Sequence, residues 1–310
     1  MTTERGNHTN LFVITCLALV AAACNCRCVG QVAVTLETDR QKYLRYEPVN
    51  VRVTLRNYSG NRLVFSNHPA KKAFLSFIVE RGENERAKAL ESELNPAEGL
   101  VLGIGETKQL QLQLNNLYNL QKEAVYQIAA VIGHPRLSSN YRSDNVTVEV
   151  TSGVVVWESE LGLPTRSATN PIKERQVSLL LLHDDPSDIY CLRIEDSELV
   201  YCVLRLGPKL TGSKPECDVD GFSHIHLLIQ IRPRLYAYRI YDYNGVLKQD
   251  KYYVPDGGIP KLNRDPDIGR IVVLGGRRAV KGVDFSMATQ ESAEQTNDKS
   301  ESGAAYRRRS

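Results

Sequence analysis

Apolar and polar residues alternate along much of this chain with a period of two. Val32, Val34 and Leu36 recur at every second position, and so do Val49, Val51, Val53 and Leu55. The pattern returns at Leu110, Leu112 and Leu114, and at Val146, Val148 and Val150. A strand with one face in a core buries every second side chain, so each run predicts a half-buried strand. Turn-forming sequences separate the runs: residues 57–61, Asn95-Pro96, residues 103–105 and His134-Pro135. About seven short strands in about 120 residues predict an antiparallel β-sandwich over residues 31–152.

Residues 153–283 continue in strands but read as a meander of hairpins. Residues 154–163 begin with a strand (VVVWE) that carries the single Trp, Trp157, the polar stretch 164–174 reads as a linker, and 177–182 is again a strand. Asp196-Ser197, between the runs 189–194 and 199–204, predicts a two-residue turn. That register sets Ile194 against Leu199, Leu192 against Tyr201 and Tyr190 against Val203, with Cys191 directly opposite Cys202. Asn244-Gly245, the strongest short hairpin signal, joins 235–241 to 247–254 and sets Arg239 opposite Asp250 and Tyr241 opposite Lys248. Strands over 225–231 and 271–274 complete the set, too few for a propeller. The predicted fold is all-β: an N-terminal sandwich followed by a second antiparallel β-meander domain. Residues 284–310 are polar, end in Arg307-Arg308-Arg309, and read as a disordered tail.

Three local patterns in the first domain carry a resemblance. Residues 38–53 (TDRQKYLRYEPVNVRV) read strand, turn, strand; Gly105-Glu106 leads into an alternating strand; and Ala124-x-Tyr126-x-Ile128 is similar to a tyrosine-corner motif. Together they resemble bacterial immunoglobulin-like domains of the macroglobulin type. The resemblance implies a sandwich in which the Tyr126 hydroxyl bonds back to upstream backbone, and it implies a fold rather than an activity. Residues 53–65 (VTLRNYSGNRLVF) with the Gly105-Glu106 corner are also similar to bacterial proteinase-inhibitor domains. That second likeness makes residues 83–99 a candidate inhibitory loop, set against the simpler reading of a connection between sheets.

Residues 11–24 form the longest apolar run, 14 residues without a charge. A membrane-spanning helix needs about 20, so residues 1–30 read as an export signal. Small residues offer cleavage after Ala23 or after Gly30. Ala21-Ala22-Ala23-Cys24 also resembles a lipobox, which would place a lipid on Cys24, and an uncleaved anchor is the third reading. Four of the seven cysteines lie in or beside this segment; Cys24, Cys26 and Cys28 read as processing-site residues. The body holds Cys191, Cys202 and Cys217. An oxidising compartment makes Cys191–Cys202 a candidate cross-strand disulfide, against two half-buried thiols.

Charge and chemistry narrow the function. The 310 residues carry 39 basic and 36 acidic side chains, a net charge of +3. This balance argues against a nucleic-acid partner. His224-x-His226 sits on a predicted strand with both rings on one face, just after Cys217, Asp218 and Asp220; these are zinc-type ligands at no known zinc spacing. Asp218-x-Asp220-Gly221 starts like a calcium loop but has Leu227 where the closing Glu belongs. His183-Asp184-Asp185 offers paired carboxylates, or simply an exit into a turn at Pro186. Asn57-x-Ser59 and Asn145-x-Thr147 are glycosylation sequons. No G-x-S-x-G or H-E-x-x-H motif occurs.

The expectation is an exported, non-enzymatic binding or envelope-structural protein with no cofactor. Its partner is a protein or a cell-envelope component, and it meets the membrane only through the N-terminal signal or a lipid on Cys24. The alternatives are an inhibitor of a secreted proteinase acting through residues 83–99, and a metal-dependent hydrolase using His224 and His226.

Overall fold

In the computed structural model the alternating runs become ladders. The structure describes residues 31–66, 73–82, 85–90, 95–163 and 174–286, and the backbone of 306–307. The expected signal with Cys24, and nearly all of the expected linker, lie outside the described residues.

In the first half, β1 (Val32–Thr38) pairs with β3 (Asn50–Asn57), and β3 with β8 (Thr107–Gln113). A second sheet runs in the order β2 (Lys42–Leu44), β11 (Val146–Thr151), β9 (Ala124–Gly133), β5 (Phe74–Arg81), β6 (Glu85–Arg86), with β10 (Tyr141–Arg142) also on β9. β4 (Leu63–Val64) and β7 (Val101–Leu102) form a separate short pair. The alternation explains the core. Val51, Val53 and Leu55 of the first sheet meet Leu75, Phe77, Tyr126, Ile128 and Val148 of the second. Leu114 closes β8 as part of a 3-10 turn, Leu114–Asn116, rather than as strand.

Two polar side chains fix the corners of this core. The buried Tyr126 hydroxyl donates to the Lys122 carbonyl at 2.8 Å, the upstream bond expected for that motif. Asn57 is fully buried, and its amide donates to the carbonyls of Asn61, Leu102 and Gly103. The first sequon is therefore a structural device; Asn145 of the second is exposed.

In the second half, β12 (Val154–Gly162), β13 (Glu174–Asp184), β14 (Ser187–Glu195) and β15 (Leu199–Pro208) follow one another across one sheet. β16 (Glu216–Val219), β17 (Ile225–Arg232), β18 (Leu235–Tyr241) and β19 (Leu247–Val254) do the same in another, with β22 (Arg277–Arg278) on β19. β20 (Lys261–Arg264) and β21 (Ile271–Leu274) form a hairpin. The two meanders pack face to face: Val177, Leu179, Leu192 and Ile194 of one meet Ile225, Leu227, Ile229 and Tyr241 of the other. The protein is all-β, with antiparallel sheets in both halves and no α-helix among the described residues.

Two expected hairpin registers need correction. The first hairpin does not turn at two residues. Asp196 accepts from the Glu198 and Leu199 amides, both at 2.7 Å, and its own amide donates to the Leu199 carbonyl, so residues 196–199 make the turn. A bulge follows between Ile194 and Glu195, and Cys191 comes to face Arg205 while Ile194 faces Cys202. Cys191 and Cys202 then project from opposite faces of the sheet, and both are free thiols. In the second hairpin Arg239 faces Asp250 as expected, but a bulge after Ile240 sets Tyr241 opposite Leu247 instead of Lys248. Within the expected tail, Tyr306–Arg307 form β23, which pairs antiparallel with β15 through Val200↔Tyr306 and Leu199↔Arg307; residues 287–305 and 308–310 lie outside the described residues.

The β13–β15 part of this sheet has buried residues on both faces. On the side away from its own sandwich core, Leu180, Leu182, Cys191, Val200 and Val203 pack with Leu44 and Tyr46 of the first half. Arg205 projects from the same side. Its Nε donates to Glu47 Oε1 at 2.6 Å, one terminal nitrogen to Asp184 Oδ2 at 2.9 Å, the other to the Lys42 carbonyl at 2.6 Å. Glu47 is 3% exposed and also accepts from the Leu44 amide and Arg40. The chain passes from β11 to β12 through Ser152 and Gly153 alone. Gly153 adopts a φ of +71°, and a Cβ there would stand 2.8 Å from Leu44 Cδ2 and 3.1 Å from the Leu181 carbonyl oxygen.

Removing one partner of a buried, hydrogen-bonded ion pair strands the other charge, at about 3–5 kcal/mol. Arg205→Met is expected to lose stability of this order in denaturant unfolding. Glu47→Gln keeps an acceptor for the Leu44 amide and is expected to lose less, about 1–2 kcal/mol. An unchanged midpoint in Arg205→Met would show that the junction does not depend on the pair.

Candidate functional site

The residues singled out around His224 and His226 are partly gathered by the fold. Between β16 and β17 the chain reverses over residues 220–224, and Asp220 organises the reversal. Its Oδ1 accepts from the Phe222 and His224 amides at 2.8 and 2.9 Å. Its Oδ2 faces two imidazoles, His224 Nδ1 and His226 Nε2, each at 3.1 Å. His224 just precedes β17 and is partly exposed, whereas the His226 side chain is 6% exposed. His226 Nδ1 lies 2.6 Å from the hydroxyl of Tyr238, a buried residue of β18.

The other sequence candidates lie elsewhere. Alternation turns Cys217 to the inner face, where it packs against the core between the two meanders. Asp218 forms an ion pair with Arg264 of β20. In the His183-Asp184-Asp185 group, Asp184 is engaged by Arg205, while His183 is exposed and pairs with Asp188. Tyr238, which completes the row, is absent from the sequence-based set. It lies twelve residues beyond His226, and only the β17–β18 register, Leu228↔Tyr238, puts the two on one face.

Burial raises the Asp220 carboxyl, but the hydrogen bonds from the His224 amide, the His226 ring, the Phe222 amide and the His224 ring together hold it below its usual range. It is therefore a carboxylate that only accepts, and both facing imidazole nitrogens carry hydrogen. Burial also lowers His226, with Asp220 opposing, and favours the neutral ring. The neutral ring leaves Nδ1 as acceptor for the Tyr238 hydroxyl. The result is a phenol–imidazole–carboxylate row. Burial pushes the phenol up to about 12, so its proton stays on. That is the reverse of what an activated nucleophile needs. Both His226 nitrogens are also engaged. Among the described residues no group of three or more His, Cys, Asp or Glu side chains is placed to hold a metal ion.

The thiols are similarly quiet. Burial pushes Cys191 and Cys202 up to about 12 and raises Cys217 as well. The described parts of the candidate inhibitory loop are tied to the sandwich. β6 pairs with β5, Ala89 bridges to Tyr118, and Asn95 bonds the Leu75 and Ala97 amides and the Ala73 carbonyl. Residues 83–84 and 91–94 of that segment, and Cys24, lie outside the described residues.

Two outcomes follow. A depressed imidazole stabilises the fold above its unfolded value, about 6.5, and that contribution is lost as pH falls through the folded value. Thermal unfolding is expected to move to lower temperature on acidification below about pH 6.5, and His226→Gln, which keeps a donor and an acceptor, is expected to flatten this slope. Tyr238→Phe leaves His226 Nδ1 unpaired and is expected to lose about 1–3 kcal/mol at pH 7 by denaturant titration. Second, a thiol reagent at pH 8 is expected to leave Cys191, Cys202 and Cys217 unlabelled until the protein is unfolded. Rapid labelling of Cys217 in the native protein would contradict its placement.

No family model and no curated protein matches this chain. Among solved structures, it is similar to the sporulation control protein Spo0M from Bacillus subtilis, over 54% of this chain and 80% of that one, with 9% identity and a TM-score of 0.28. An overlap of that size assigns neither a fold family nor a function.

Proposed function

We propose that this is an exported, non-enzymatic binding or envelope-structural protein whose first sandwich is immunoglobulin-like. One observation carries the binding reading. β12 is an outer strand of its sheet, and three consecutive side chains on it, Val154, Val155 and Val156, are 66%, 50% and 43% exposed. Edge strands are usually guarded by charge, by Pro or by a covering loop, and an apolar edge with no strand partner among the described residues suits a protein or envelope partner. The reactive side chains support the same reading: the imidazoles, carboxylates and thiols singled out in the body are held in structural bonds or in the core. The Tyr126 corner bond and the two-sheet arrangement of the first half favour the immunoglobulin-like assignment. The apolar run of residues 11–24 motivates export.

Intact mass and metal content of the protein purified from its source cells test this reading together. The expected outcome is a chain beginning at Gln31, or a lipidated chain beginning at Cys24, recovered with the envelope or outside the cell and without stoichiometric metal. A full-length chain in the cell interior overturns export. Stoichiometric zinc, lost in His226→Ala together with a hydrolase activity, overturns the non-enzymatic reading in favour of a metal-dependent hydrolase.

A further inference from the structure

The outer edge of β15 is a second open ladder, at the opposite side of the sheet from β12. β14 takes one edge of β15; on the other edge the structure places only β23, at Leu199 and Val200. β15 continues to Pro208, so most of that edge has no strand partner among the described residues. An edge of this kind offers backbone donors and acceptors to any extended segment.

We propose that the β15 edge is a strand-docking site for an extended basic peptide, occupied in this chain by its own C-terminal segment as a tethered ligand. Three observations support it. The segment that pairs is the most basic stretch of the C-terminal region: Arg307 is followed by Arg308 and Arg309. The receiving end of β15 directly follows Asp196 and the exposed Glu198, so the charges are complementary. Residues 287–305 join the segment covalently to the body, so its pairing with β15 is intramolecular and needs no free ligand. Two paired residues make a weak strand on their own, so the tether supplies the occupancy. A longer basic strand, able to pair beyond Val200, would displace it. The proposal is independent of export.

Hydrogen exchange on the full-length protein tests it. Tyr306→Pro removes the backbone donor of the tail strand opposite Val200 without touching the body. Exchange of the Val200 amide, opposite Tyr306, is expected to rise about tenfold in this variant, as for any ladder that opens locally. Adding excess peptide of residues 303–310 is expected to restore protection, whereas the same peptide with its three arginines replaced by glutamate is not. Equal exchange in the wild type and Tyr306→Pro overturns the docking site. Equal rescue by the two peptides overturns the basic preference. Protection that disappears on dilution of the wild type assigns the strand to a second copy and overturns the tether.

Discussion

One guanidinium organises the junction of this molecule. Arg205 is contributed by the second half, yet it donates to Glu47 and to the Lys42 carbonyl of the first. The pair sits at an apolar seam where Leu44 and Tyr46 meet Leu180, Leu182 and Val203. Apolar contact supplies area there but little direction. The ion pair supplies direction, because a buried carboxylate is tolerated only where its donors converge. Glu47 has such donors from its own turn, through the Leu44 amide, and from across the seam. Asn115 joins the arrangement by donating to the Glu47 carbonyl and accepting from the Val49 amide. The local turn and the domain junction therefore share one set of hydrogen bonds.

The same seam explains why the sheet of β12 to β15 reads so apolar. Its strands β13 to β15 have two buried faces near the junction, and residues 179–182 are accordingly four leucines in succession. Cys191 belongs to this second face, beside Leu180 and Val200, where burial keeps the thiol protonated. The Asp220–His226–Tyr238 row plays a comparable role on the outer face of the other meander, joining a turn to two strands through polar atoms. In each place a titratable group is held in one protonation state by its surroundings.

The strands were legible in the sequence because alternation is a property of single strands. Val51, Val53 and Leu55 alternate and are buried as that pattern requires. Register was less legible because it depends on turn geometry and bulges. The Asn244-Gly245 hairpin gave Arg239 opposite Asp250, and one bulge displaced the next pair. The Asp196 hairpin failed further, since an Asp side chain that caps two amides selects a longer turn, and the cysteines moved to opposite faces with it. Three of the four side chains of the candidate site followed from neighbours in sequence: Asp220, His224 and His226 lie within seven residues. Tyr238 did not, because its contact exists only once β17 and β18 are paired. β23 escaped notice for a related reason. A strand that completes another strand's edge needs no hydrophobic pattern of its own.

The passage from β11 to β12 has a mechanical consequence. A two-residue joint with a left-handed glycine lying against Leu44 and the Leu181 carbonyl has no slack. Torque applied to one sandwich reaches the other directly through this joint and the Arg205 seam. A rotation of one half against the other would have to break these contacts at once.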